Sequence, residues 1–177
     1  MEIQNITNNN QKITAFYSIY KKYFPTSERE TLANMKKLAK ASSTVSNWDY
    51  TILELTNEEN SIAGGVVYDW FSDINVIVIE YIFTLEAFRH KKIARNLVDF
   101  IKQKTPNAIV LIEVEKNGLS KPFWEKLGFF VISEDYIQPP ISKKEKSFDG
   151  LVIMSNTAIK NLDHILKNYY WKYSFLN

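Results

Sequence analysis

Apolar side chains along the chain recur first at helical spacing, then in alternation, then in a mixture of the two. Residues 1–7 read as a short strand before the polar Asn8-Asn9-Asn10. Ile13, Phe16, Tyr17, Tyr20, Tyr23 and Phe24 then repeat with helical period, and Pro25 ends that helix. Ser27-x-x-Glu30 reads as a capping box, and Leu32, Met35, Leu38 and Ala39 follow as a second amphipathic helix to about residue 40. Trp48–Leu55, Ile62–Phe71 (entered through Gly64-Gly65) and Val76–Thr84 are strand-like and separated by turn residues. Together they form an antiparallel meander. A helix over 91–104 carries its apolar stripe on Ile93, Leu97, Val98 and Ile101. Ala108–Glu115 is the nearly continuous apolar run of a strand buried on both faces.

A short helix around Pro122–Leu127 stops at Gly128, a left-handed C-terminal cap. Phe129–Ser133 and Leu151–Met154 form a strand pair around the polar insertion Gln138–Asp149. The strand–helix–strand run between 76 and 115 implies a parallel crossover inside an otherwise antiparallel sheet, hence a mixed α/β domain without internal repeats. Ala158, Ile159, Leu162, Ile165, Leu166, Tyr169, Tyr170 and Tyr173 mark an amphipathic C-terminal helix that packs on its own sheet or on a second subunit. Lys160, Lys167 and Lys172, with Trp171 and Phe175, leave a membrane-surface role as the other reading.

Composition removes much of enzymology from this picture. A length of 177 residues suits one domain, 1–177, with a core over about 48–155 and a helical extension over about 156–177. The absence of cysteine excludes disulfides, thiolate nucleophiles and cysteine–zinc sites, and two histidines make no multi-histidine metal site, so no metal is expected. Five glycines without a Gly-x-Gly-x-x-Gly run exclude Walker and Rossmann phosphate loops. A formal charge of +2 argues against a nucleic-acid binder held by a broad basic surface. The first residues lack the basic and apolar regions of a signal peptide, and the longest aliphatic run, Val76–Ile79, is too short to span a bilayer. A cytoplasmic protein is the expectation.

Two clusters carry candidate chemistry. Arg89, His90, Lys91, Lys92 and Arg95 gather at the start of the 91–104 helix, where free N–H groups already present partial positive charge. Each cation there costs about 0.3–1 kcal/mol. Either an anion such as phosphate binds, or the turn is a solvated basic loop. Glu80 lies among Val78, Ile79, Tyr81 and Ile82, and Glu113 and Glu115 share one face of their strand. Acids in apolar strands are paired, hydrated or used in chemistry.

Residues 76–129 resemble the GCN5-related N-acetyltransferase superfamily. Its phosphate signature, Gln/Arg-x-x-Gly-x-Gly/Ala after a strand and opening a helix, is similar to Arg89-His90-Lys91-Lys92-Ile93-Ala94, with Lys92 in place of the first glycine. Downstream, Asn117 is followed after six residues by Trp124, where many members have tyrosine, and then by the family-like Glu125-Lys126-Leu127-Gly128-Phe129. Glu113-Val114-Glu115 and Asp135-Tyr136-Ile137-Gln138-Pro139-Pro140 also resemble a bacterial subgroup. The resemblance covers about residues 48–155.

It implies a mostly antiparallel sheet of six to seven strands with a central parallel crossover and helices on both faces. It also implies acetyl-CoA as co-substrate, lying in a splay between the strands ending at Thr84 and Glu115. In that arrangement the backbone of Ile82, Phe83 and Thr84 pairs with pantetheine and polarises the thioester. Amides from His90, Lys91, Lys92, Ile93, Ala94 and Arg95, beside Arg89, hold the pyrophosphate. Asn117 bonds the pantetheine arm, Trp124 stands at the thiol side, and Glu80 deprotonates the amine that attacks the thioester directly. Trp124 is no acid, so water or Tyr136 protonates the thiolate. The acceptor is a small-molecule or peptide amine, and the three glutamates favour a cationic one: polyamine-like, aminoglycoside or protein N-terminus. Phe16, Tyr17, Tyr20, Tyr23 and Phe24 border the acceptor groove in that family. The alternative function is an acyl-CoA-binding regulatory module with weak or no catalysis. A homodimer is compatible with either.

Overall fold

A computed structural model describes residues 1–139 and 149–176. Most of the polar insertion, and Pro140 of the subgroup-like run, lie outside the described residues. Within them the chain forms β1 (Glu2–Asn5), α1 (Asn10–Tyr20), α2 (Leu32–Ser42), β2 (Trp48–Thr56), β3 (Ile62–Phe71) and β4 (Val76–Thr84). Then follow α3 (Ile93–Lys104), β5 (Ile109–Glu115), α4 (Lys121–Glu125), β6 (Phe130–Ser133), β7 (Leu151–Ser155) and α5 (Leu162–Trp171). A 3₁₀ turn, Glu86–Phe88, precedes α3, and a 3₁₀ segment, Lys172–Leu176, extends α5. The strands make one seven-stranded sheet in the order β1-β2-β3-β4-β5-β7-β6, in which β4 and β5 are parallel and every other pair is antiparallel. The mixed α/β architecture and its central crossover match the sequence reading.

Alternation along the strands divides the core into two layers. On one face Trp48, Tyr50, Ile52, Val67, Val76 and Val78 meet α1, α2 and α5 through Ile13, Phe16, Tyr20, Met35, Leu38, Ile165 and Tyr169. On the other, Leu53, Leu55, Val66, Ile77 and Ile79 meet the stripe Ile93, Leu97, Val98 and Ile101 of α3 and Trp124 of α4. Gly64 and Gly65 serve these two layers separately. A Cβ on Gly64 would lie 2.6 Å from both Ile93 Cγ2 and the Phe83 carbonyl oxygen, whereas one on Gly65 would lie 2.3 Å from the Phe16 ring. The missing side chains let α3 start close against β3 and let α1 settle on the opposite face.

Several boundaries differ from the sequence reading, among them the start of the C-terminal helix, at Leu162 rather than Ala158, and three have a cause in the contacts. Helix α1 ends at Tyr20 rather than Phe24, yet Phe24 still packs on Tyr20 and Tyr81, and Tyr23 stacks on Phe83. The box Ser27-x-x-Glu30 does not start a helix. Thr31 caps α2 by accepting from the Asn34 amide at 3.1 Å, while the Glu30 amide donates to the Tyr20 hydroxyl and its carboxylate accepts from Asn34 Nδ2. The tertiary contact with Tyr20 outweighs the local motif. Helix α3 opens at Ile93, two residues later than its periodicity suggests, because His90 (φ 65°) and Lys92 (φ 60°) adopt left-handed backbone conformations.

Candidate active site

Parallel pairing between β4 and β5 runs from Val76 opposite Ile109 to Ile79 opposite Ile112 and stops, although β4 continues to Thr84 and β5 to Glu115. The two central strands thus separate beyond Ile79 and Ile112, opening a splay in the middle of the sheet. Ile82, Phe83 and Thr84 form one wall, still paired on their far side with Val66, Gly65 and Gly64. Glu113, Val114 and Glu115 form the other, paired with β7. Backbone groups that face away from β3 and β7 here pair with no described strand, which leaves them to an extended ligand.

The basic turn lies between β4 and α3. Arg89, His90, Lys91, Lys92 and Arg95 are all exposed, and none is ion-paired with a described residue. Most of the cluster precedes the helix; only Arg95 stands in its first turn. Side chains of Asn9, Thr31 and Asn161 cap α1, α2 and α5, whereas Lys92 gives α3 no side-chain cap. The first N–H groups of α3 are therefore available to an anion, as phosphate requires. Lys92, the residue standing where the family signature has glycine, holds the left-handed backbone that glycine adopts without strain.

A β-bulge places Glu80. Tyr81 pairs with Val67 and Ile79 with Tyr68, so Glu80 is the extra residue of β4. Ile79 faces the α3 layer, while Glu80 and Tyr81 both turn to the α1/α2/α5 side. There Glu80 Oε1 accepts from the Tyr169 hydroxyl at 3.0 Å, the Tyr173 hydroxyl at 3.4 Å and the ammonium of Lys172. Lys172 also donates to Asp69 Oδ2, and Trp48 Nε1 donates to Asp69 Oδ1 at 2.7 Å. Lys172 is 0% exposed, which corrects its reading as a membrane-facing cation. Burial lowers its pKa against the pull of Asp69, and burial raises that of Asp69 against the pull of Lys172.

Across the splay, Glu113 Oε1 accepts from the hydroxyls of Tyr136 (2.5 Å) and Tyr170 (2.8 Å), and Oε2 accepts from Gln138 Nε2 (2.7 Å). Burial raises the Glu113 pKa, and these three donors oppose the rise. Tyr136 and Tyr170 also line a surface cleft of about 380 Å³ between α5 and the segment after β6, with Asp135 and Asp163 on its walls. Glu115 is exposed, and so is Asn117 in the turn that follows it. Trp124 is a core residue, 4% exposed and packed edge-on against Phe123 and Phe129. The structure therefore sets Glu80 and Glu113 on the two strands that separate at the splay, with the Glu80 carboxylate buried against Lys172, and sets the basic turn at the start of α3.

Sequence reasoning passed over Asp69, Lys172, Tyr169, Tyr170 and Tyr173 as site residues. Asp69 carries the cue that singles out Glu80, an acid inside an apolar strand; the three tyrosines read only as a helix face, and Lys172 as a membrane-surface cation. No group of three or more metal-ligating side chains occurs among the described residues, and no described helix is long and apolar enough to cross a membrane.

The Acetyltransferase (GNAT) family matches residues 13–129, about two thirds of the chain. The chain belongs to that family and is an acetyltransferase. Its fold is similar to that of a protein from Bacteroides thetaiotaomicron assigned to the GNAT acetyltransferases (TM-score 0.71, 16% identity, 97% of this chain and 95% of that one). It is also similar to the ribosomal-protein-S18-alanine N-acetyltransferase from Escherichia coli (TM-score 0.59, 16% identity, 90% and 97%) and to Ard1 from Thermoplasma volcanium (TM-score 0.61, 17% identity, 90% and 98%). No curated protein sequence matches the chain.

Proposed function

We propose that the protein is a cytoplasmic N-acetyltransferase that moves the acetyl group of acetyl-CoA to a primary amine without a covalent enzyme intermediate. The splay between β4 and β5 carries this reading, because it exposes backbone hydrogen-bonding groups beside two carboxylates in the centre of the sheet. The residues present fit the co-substrate: an uncapped helix start beside Arg89, Lys91, Lys92 and Arg95, none ion-paired with a described residue, suits a pyrophosphate, and strand backbone that pairs with no described strand suits an extended amide arm.

Acetyl-CoA supplies the activated thioester. Amides of residues 90–95, beside Arg89, hold its phosphates; the backbone of Ile82, Phe83 and Thr84 aligns the arm and polarises the carbonyl; Asn117 bonds the arm from the far wall. Trp124 contributes from the core, where its ring packs on Phe123 and Phe129 and its backbone amide donates to the Ser120 carbonyl after the turn of Asn117. Glu80 takes the proton of the acceptor nitrogen, directly or through water, as that nitrogen bonds to the acyl carbon and the C–S bond breaks. Water protonates the departing thiolate, because indole cannot. Holding both reactants in place supplies several kcal/mol, so a chain without cysteine can do this chemistry.

The acids at the splay, and Asp135 and Asp163 against the one Lys167 in the cleft, favour a cationic acceptor, either a polyamine-like small molecule or a peptide amine. Thiol release over a panel of polyamines, aminoglycosides and peptides with free N-termini tests the reading. At least one amine should accelerate release, and Glu80→Gln should slow it by about 10²–10⁴. Tight acetyl-CoA binding with no acceleration by any amine would favour the non-catalytic acyl-CoA-binding module.

A further inference from the structure

The C-terminal segment lies outside the stretch that matches the family, yet it delivers a fully buried lysine to the carboxylate at the centre of the site. A purely structural ion pair would be complete with Asp69, which neutralises Lys172 by itself. Lys172 instead bridges two acids on adjacent strands, and the second is the residue that the β4 bulge turns toward it. Aromatic faces complete the enclosure: its ammonium lies 4.3 Å from the Tyr169 ring centroid, 4.8 Å from that of Tyr173 and 5.9 Å from that of Tyr50. Such faces favour a cation, so they help retain the charge that burial opposes.

The two oxygens of Glu80 are used unequally. Oε1 receives Lys172, Tyr169 and Tyr173, while Oε2 is buried and accepts no hydrogen bond from the described residues. Three donors on one oxygen fix the rotation of the carboxylate and leave a single oxygen with unused lone pairs. We propose that Lys172 is a positioning residue for acetyl transfer: anchored by Asp69, its ammonium holds Glu80 ionised through Oε1 and presents Oε2 as the proton-accepting atom. This rests on Glu80 being the base of the reaction. The charged and titratable groups facing this centre are Lys172 and Tyr173 of the C-terminal 3₁₀ segment, Tyr169 of α5, Asp69 of β3, Tyr50 of β2 and Tyr81 of β4. Glu30 before α2 and Glu113 of β5 act on it at longer range. Among them Lys172 is the only cation; the Tyr169 and Tyr173 hydroxyls also favour the ionised form of Glu80 by donating to it, but carry no charge.

The test is a carboxyl ¹³C titration of the full chain labelled at glutamate, with the Glu80 resonance assigned by its loss in Glu80→Gln. Lys172→Met is expected to strain the fold, so the deciding variant is Asp69→Asn combined with Lys172→Met, which removes one charge of each sign. Its Glu80 midpoint should rise by about one pH unit or more, whereas Asp69→Asn alone should leave it at or below the parent value. Lys172→Arg, which keeps the charge, should keep the parent midpoint. An unchanged midpoint in the folded double variant would overturn the proposal and reduce Lys172 to a tie for the C-terminal segment. Normal thiol release by Glu80→Gln would instead overturn the assignment of the base, and the titration is readable either way.

Discussion

The ammonium of Lys172 donates to the carboxylate of Asp69, 103 residues earlier in the chain, with both side chains completely buried. This contact staples the C-terminal segment to the middle of the sheet. Removing the lysine alone leaves Asp69 and Glu80 buried without a cation, and breaking a buried pair from one side costs about 3–5 kcal/mol. Lys172→Met should therefore lower the unfolding free energy by about that much, as read by urea denaturation. Adding Asp69→Asn should restore a large part of the loss, because the second change removes a stranded charge. Strictly additive losses in the double-mutant cycle would show that the two residues do not act as a pair.

Lys92 combines two opposed effects. Its left-handed backbone (φ 60°) costs a non-glycine residue about 1–2 kcal/mol, while its side chain adds a cation beside the uncapped start of α3. Lys92→Gly should raise stability by about 1 kcal/mol in chemical denaturation. The same variant should bind coenzyme A about five-fold more weakly by calorimetry, with a smaller salt dependence, a loss equivalent to about 1 kcal/mol. Unchanged or tighter binding would show that the ammonium does not compensate for the missing glycine.

Much of this fold is legible because its elements are two-sided. The stripe Ile93, Leu97, Val98 and Ile101 predicts both the helix and its buried face, and the unbroken run from Ala108 identifies the parallel strand. Neighbouring residues cannot show what a distant element adds. The Tyr20 hydroxyl decides how Glu30 is used, and left-handed turns at His90 and Lys92 delay α3 despite its periodic pattern. The basic turn and Glu80 are conspicuous as charges in unfavourable places. The bulge that orients Glu80 is not, since Val78–Ile82 reads as a regular apolar strand interrupted by one acid. Lys172 is the largest omission: on an amphipathic helix a lysine among aromatics resembles a snorkelling surface residue, and only Asp69 and Glu80, far away in sequence, reveal it as core.

Glu113 gives the site a pH-dependent stability of definite sign. Its carboxyl is held by Tyr136, Tyr170 and Gln138 without an ion-pair partner among the described residues, and burial raises its pKa in the folded chain. Between the ordinary glutamate pKa and this raised value, the folded protein retains a proton that the unfolded chain has lost. Unfolding then releases a proton, so stability falls as pH rises through that window; the contribution of Glu113 is fully present below it. A glutamine at this position cannot ionise and keeps an amide oxygen to accept from the tyrosines. Relative to the parent, Glu113→Gln should gain stability progressively as pH rises from the ordinary glutamate range toward neutrality, each unit of pKa shift being worth about 1.4 kcal/mol. Urea midpoints measured across that range check this. Parallel curves for parent and variant would mean that Glu113 ionises alike in both states, its three donors offsetting its burial.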